Sequence, residues 1–144
     1  NLQQLSRENS CQMRVPSMTM NDICFWSSLR HLDISAQIMK DFSDWLNLNG
    51  FNSALDDFAQ DGSMFSFHIM NNCKYIKIDK SFLHQIKKNK NYIAYLNGLL
   101  ETIRLNGQKS IVEGVETLED LNLIRSLKCD FIQGYYFSDL SFCI

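Results

Sequence analysis

The chain has 144 residues, with 14 Lys and Arg against 16 Asp and Glu, for a formal net charge of −2. That balance argues against a duplex-binding surface, and no stretch reaches the roughly 20 apolar residues a membrane helix needs. Cys11, Cys24, Cys73, Cys129 and Cys143 are odd in number and lack a CxxC pair. They read as buried or free thiols in a reducing compartment, and with no secretory leader pattern the expected location is cytoplasmic.

Residues 1–28 carry the weakest pattern. Pro16, the only proline, interrupts whatever precedes it. From Met18 to Leu29 a helix with Met20, Ile23, Cys24 and Trp26 inward is expected. Leu29 to Ser35 alternates, with Leu32 and Ile34 on one side and His31, Asp33 and Ser35 on the other, as in a strand. Ile38, Phe42, Trp45 and Leu46 follow at helical spacing and read as core packing, closed by Asn49-Gly50. Phe51 to Asp57 is the next strand, Ser63 to Met70 a short helix, and Tyr75 to Asp79 a strand. In that strand Ile76 and Ile78 face helices, while Lys77 and Asp79 point to the other side.

Lys87-Lys88-Asn89-Lys90 reads as the flank of a solvated helix. Ile93, Leu96, Leu100 and Ile103 make the clearest helix, closed by Asn106-Gly107. A strand then runs to Glu113, and Thr117 with Asp120 forms a capping-box pattern ahead of the stripe Leu121, Ile124, Leu127. The last strand ends at Gln133. Repeated strand-then-helix units predict a parallel sheet in one α/β domain or part of one, with no internal repeat and no linker.

In a closed α/β barrel the strand C-termini meet at one mouth. Asp56, Asp57, Lys77, Asp79, Glu113, Glu116 and Gln133 would then converge although they are far apart in sequence. Paired carboxylates suit hard divalent ions, Mg²⁺ or Mn²⁺, and two such ions serve phosphodiester hydrolysis. Asp56 and Asp57 are metal candidates. Glu113 can bind metal or take a proton from its water, Lys77 can hydrogen-bond that water, and Gln133 can orient it. Asp79 reads as a structural partner of a nearby cation, and Glu116 as either a ligand contact or a helix cap. His31, His68 and His84 lack metal spacing, and Tyr135, Tyr136 and Phe137 read as rim packing.

The strings "LDDF", "IKIDKSF", "VEGVET" and "CDFIQGYYFS", in this order, resemble the later half of an EAL domain, the bacterial domain that opens cyclic di-GMP. The resemblance covers about residues 29 to 138. It implies a TIM-like barrel, here partial and incomplete on its N-terminal side, and metal-dependent hydrolysis to linear pGpG. It assigns Asp56 and Asp57 as metal ligands, Lys77 and Glu113 as acting on the nucleophilic water, and Gln133 as positioning it. Asn1-Leu2-Gln3-Gln4-Leu5 is similar to the family's "NLS" strand exit, which would make Asn1 a further metal ligand.

The chain also departs from the family. A barrel of eight units typically takes roughly 250 residues, about 200 at the least, and the Glu-x-Leu segment has no counterpart here. Asn1 is not an initiator methionine, so the chain is expected to be a fragment, a trimmed form or a damaged gene product. Where the family has "LEITE", this chain has Leu32-Asp33-Ile34-Ser35-Ala36. Asp33 keeps a carboxylate for metal but is shorter by about 1.5 Å, and Ala36 replaces the second Glu. The loop Ala59-Gln60-Asp61-Gly62-Ser63 stands in place of "GTGYS". The resemblance thus implies a weakly active or inactive member of cyclic di-GMP signalling. Its alternatives are a cyclic di-GMP receptor, or a regulator that binds a protein partner.

Overall fold

The computed structural model describes residues 22–25, 36–60 and 67–137. Their elements are β1 (Asp22–Phe25), α1 (Ala36–Leu48), β2 (Asn52–Phe58), α2 (Phe67–Met70), β3 (Tyr75–Ile78), α3 (Ser81–Lys88), α4 (Tyr92–Leu105), β4 (Lys109–Val112), α5 (Leu118–Ser126) and β5 (Phe131–Ile132). A short 3₁₀ turn, Tyr135–Phe137, follows. The five strands form one sheet in the order β1-β2-β3-β4-β5, every neighbour parallel. Parallel neighbours need crossovers, and α1 to α5 supply them.

Pairing register decides which residues share a face. Leu55 sits opposite Ile76, and Ile78 opposite Val112, so these apolar residues line one side. Tyr75 lies opposite Ala54 and Lys109, and Lys77 opposite Ile111, on the other side. In β3 the alternation is visible directly, because Ile76 and Ile78 are fully buried while Tyr75 and Lys77 are half-buried. The helices cover the first face with stripes at helical spacing: Leu83 and Ile86 in α3, Leu96, Leu100 and Ile103 in α4, Leu121 and Ile124 in α5. Together with Phe58, Met70, Val112, Val115 and Ile132 they make one core.

Two expectations fail. The segment read as a helix from Met18 to Leu29 contains a strand at Asp22–Phe25, because Asp22 to Phe25 pair with Asn52 to Leu55 and sheet pairing overrides the local helical spacing. The stripe Ile38, Phe42, Trp45 is not core: these residues are 58%, 47% and 53% exposed, and only Leu46 of the set is buried. The face of α1 that meets the sheet carries Ser43 and Leu46 instead. Ser43 Oγ lies 3.1 Å from Ser53 Oγ and also donates to the Asn72 carbonyl, so a small hydrogen-bonding residue seats the helix on β2. Phe42 and Trp45 stack on each other on the outer side, ring centroids 6.0 Å apart.

Strands β2 to β5 and helices α4 and α5 fall where the periodicity places them, whereas α3, read only through the lysine run at its end, buries Leu83 and Ile86. The helix foreseen from Ser63 is described from Phe67 to Met70. The strand foreseen at Leu29–Ser35, with Asp33, and the segment with Asn1 lie outside the described residues. No described helix is long and apolar enough to cross a membrane.

Candidate active site

Adjacent side chains of a regular strand point to opposite faces, which would separate Asp56 from Asp57. The structure avoids this with a register shift between Leu55 and Phe58: Leu55 is opposite Ile76, yet Phe58 is opposite Ile78. Two residues, Asp56 and Asp57, therefore stand against the single Lys77, which is a β-bulge. Asp57 takes φ +51° and Ala59 φ +60°, left-handed conformations that a short polar side chain such as Asp tolerates better than most. Leu55 and Phe58 are both in the core at an odd spacing, and only an inserted residue makes that compatible with one face.

Backbone hydrogen bonds then align the strand exits. The Asp79 amide donates to the Phe58 carbonyl, Glu113 to Ile78 and Gln133 to Val112, at 3.1, 3.0 and 2.9 Å. Carboxylate oxygens of Asp56, Asp57 and Glu113 all come within 4.8 Å of one another. Lys77 Nζ is 2.6 Å from Asp56 Oδ1 and 2.8 Å from Glu113 Oε1. Burial alone would lower the Lys77 pKa, but hydrogen bonds and charges from Asp56 and Glu113 outweigh it and raise it above the ordinary 10.5. The ammonium is therefore fixed as a cation inside a carboxylate cluster. Three close oxygen donors fit a hard divalent ion such as Mg²⁺ or Mn²⁺.

The remaining candidates separate. Gln133 is exposed at the exit of β5 beside Val112. Asp79 is buried, and its Oδ1 accepts the Ser81 amide at 2.8 Å. That bond ties Asp79 to the first residue of α3, and among the described residues no Lys or Arg forms an ion pair with it. Glu116 is exposed, and its amide donates to Asp120 Oδ2. The helix cap belongs to Thr117, whose hydroxyl accepts the Asp120 amide while Asp120 returns a bond to the Thr117 amide. Lys87 Nζ also reaches Asp120 Oδ2, at 3.0 Å, so the lysine run is not solvated throughout but ties α3 to α5. Of the aromatic triplet, Tyr136 and Phe137 pack against the core, whereas Tyr135 is 77% exposed.

Two motif glycines carry geometry that the sequence reading passed over. Gly114 follows Glu113 with φ +80°, and a Cβ there would collide with the Lys80 side chain. A Cβ on Gly134 would overlap the Val115 backbone. Gly114 lets the β4 exit lie against Lys80, just beyond β3, and Gly134 lets the β5 exit lie against Val115, just beyond β4. The position of each, one residue after Glu113 and Gln133, is the feature that marks it.

Comparison with known proteins follows the same strings. The EAL domain family model matches residues 27–139. Over 92 residues the chain is 37% identical to the probable cyclic di-GMP phosphodiesterase PdeG of Escherichia coli, covering 64% of this chain and 18% of that protein. A standalone EAL protein of Vibrio cholerae in its c-di-GMP-bound form is similar in structure, with a TM-score of 0.67 at 19% identity over 80% of this chain and 48% of that one. The manganese/c-di-GMP complex of Klebsiella pneumoniae BlrP1 gives a TM-score of 0.66 at 21% identity, covering 80% of this chain and 29% of that one. The chain thus spans about a fifth of PdeG and about half of the Vibrio protein.

Proposed function

The chain belongs to the EAL domain family, and on that premise we propose that it binds cyclic di-GMP with divalent metal at the Asp56–Lys77–Glu113 cluster. The observation that carries this is the convergence of Asp56, Asp57 and Glu113 oxygens within 4.8 Å, with Lys77 Nζ held between two of them. Asp56, Asp57 and Glu113 would hold Mg²⁺ or Mn²⁺, and Asp33 and Asn1 are further candidate ligands. A bound divalent ion acidifies water and offsets phosphate charge.

The chain's own groups have separate tasks. Lys77 supplies a fixed positive charge and hydrogen-bond donors toward a phosphate oxygen or the attacking water. Glu113 either ligates or accepts a proton from that water, and Gln133, at the adjoining exit, orients it through an amide that both donates and accepts. Gly134 keeps the β4 and β5 exits close, and Gly114 keeps the β4 exit against Lys80, just beyond β3. The reaction in question is hydrolysis of one phosphodiester of cyclic di-GMP to linear pGpG.

Turnover by the 144-residue chain is proposed to be slow or absent, leaving binding as its main activity. Asp33 is a shortened ligand, Ala36 replaces a carboxylate, and small misplacements in such sites cost orders of magnitude in rate. Incubation with cyclic di-GMP and Mn²⁺, following binding and pGpG together, tests this. Binding without pGpG supports a receptor-like domain, and rapid pGpG release that Glu113→Gln abolishes overturns the inactive reading. Absence of binding with either ion overturns the cyclic di-GMP reading and favours a protein partner.

A further inference from the structure

Lys77 stands where a cation is most needed. Three carboxylates carry three negative charges, and the ammonium 2.6 Å from Asp56 Oδ1 and 2.8 Å from Glu113 Oε1 supplies one positive charge. Two negative charges remain, which one divalent ion neutralises. We infer that Lys77 is the resident counter-ion of the cluster, competes with divalent metal for Asp56 and Glu113, and limits the described carboxylates to one ion per chain. This rests on the metal-site reading above but goes beyond it, because it concerns how many ions the site takes and how tightly.

The alternative role for Lys77 is to assemble the ligands in advance of the metal. The backbone already performs that task. Asp56 is placed by the bulge in β2, and Glu113 by the hydrogen bond its backbone N–H donates to the Ile78 carbonyl. Removing the ammonium therefore leaves the carboxylates in place and takes away a like charge at close range to the incoming ion. Like charges a few ångströms apart in a partly shielded site repel strongly, and side-chain exposures of 15%, 10% and 17% for Lys77, Asp56 and Glu113 leave little solvent to screen them. The net effect of the lysine on metal affinity is opposition.

The test is calorimetric titration of the full chain with MnCl₂ at neutral pH, without cyclic di-GMP. The wild-type chain is expected to take one ion. Lys77→Met, which keeps most of the stem without the charge, is expected to bind at least tenfold more tightly or to take a second ion. Lys77→Arg restores the charge and is expected within threefold of wild type. Unchanged or weaker binding by Lys77→Met overturns the inference, as does an equally tightened Lys77→Arg or two ions on the wild-type chain. If Lys77→Met does not fold, the wild-type Lys77 side-chain NMR signal is followed during Mg²⁺ addition: a shift that saturates with binding supports competition, and a stationary signal while Mg²⁺ binds overturns it. Wild-type Mn²⁺ binding tests the metal-site reading separately from the Lys77 ratio. A chain that binds Mn²⁺ with the expected ratio but ignores cyclic di-GMP defeats only the ligand reading.

Discussion

Gly134 leaves no room for even a methyl group, because its missing Cβ would fall on the Val115 backbone. Backbone cannot rotate away as a flexible side chain can, so Gly134→Ala is expected to cost about 1–3 kcal/mol as an overpacking change, measured by urea denaturation. Asp120 makes a different kind of prediction. Burial alone would raise its pKa, yet hydrogen bonds from Lys87, Thr117 and the Glu116 amide hold it below the ordinary 3.8. A depressed folded-state pKa stabilises the fold above the unfolded value, and that contribution is lost as pH falls through the folded one. Asp120→Asn is therefore expected to lose stability at neutral pH and to show a flatter decline below about pH 4. Urea melts at pH 7 and pH 3 measure both, and equal losses at the two pH values would count against the charge-based account. The sequence already displayed the capping box at Thr117 and Asp120. Lys87 was hidden, because its partner is 33 residues away and no local spacing announces it.

Among the elements, β2 and α1 teach opposite lessons about what a pattern reveals. In β2 the adjacent carboxylates were readable as candidate ligands, while the bulge that brings both to one side came only from the pairing register. The strands at Tyr75–Ile78 and Lys109–Val112 were legible for a simpler reason: each is short, apolar and bounded by polar or turn residues. In α1 the apolar stripe pointed the wrong way, because sequence periodicity reports a face without saying what covers it. Leu46→Ala is expected to cost about 2–5 kcal/mol by opening a cavity, whereas Trp45→Lys should change stability by no more than about 0.5 kcal/mol. Thermal or urea melts distinguish these outcomes directly. A large loss from Trp45→Lys would mean that the stripe is covered in the protein in solution. The strand Asp22–Phe25 was not legible, since Ile23, Cys24 and Trp26 repeat like a helix and only pairing with β2 resolves the choice.

At the scale of the whole molecule, a parallel sheet gathers candidate site residues from four strands at one end, while the helices bury one of its faces. The family resemblance proposed the site residues, but distances were needed to show that Lys77 bridges Asp56 and Glu113. Two adjacent aspartates and a glutamate repel phosphate, and one lysine offsets only part of that charge. Ligand binding should therefore need metal, and Asp56→Asn should weaken that requirement. The most direct measurement is a calorimetric titration with cyclic di-GMP in the presence of Mn²⁺ and again in EDTA. The account predicts saturable binding with Mn²⁺ that falls at least tenfold in EDTA, about 1.4 kcal/mol; equally tight binding in both, or none in either, would contradict it.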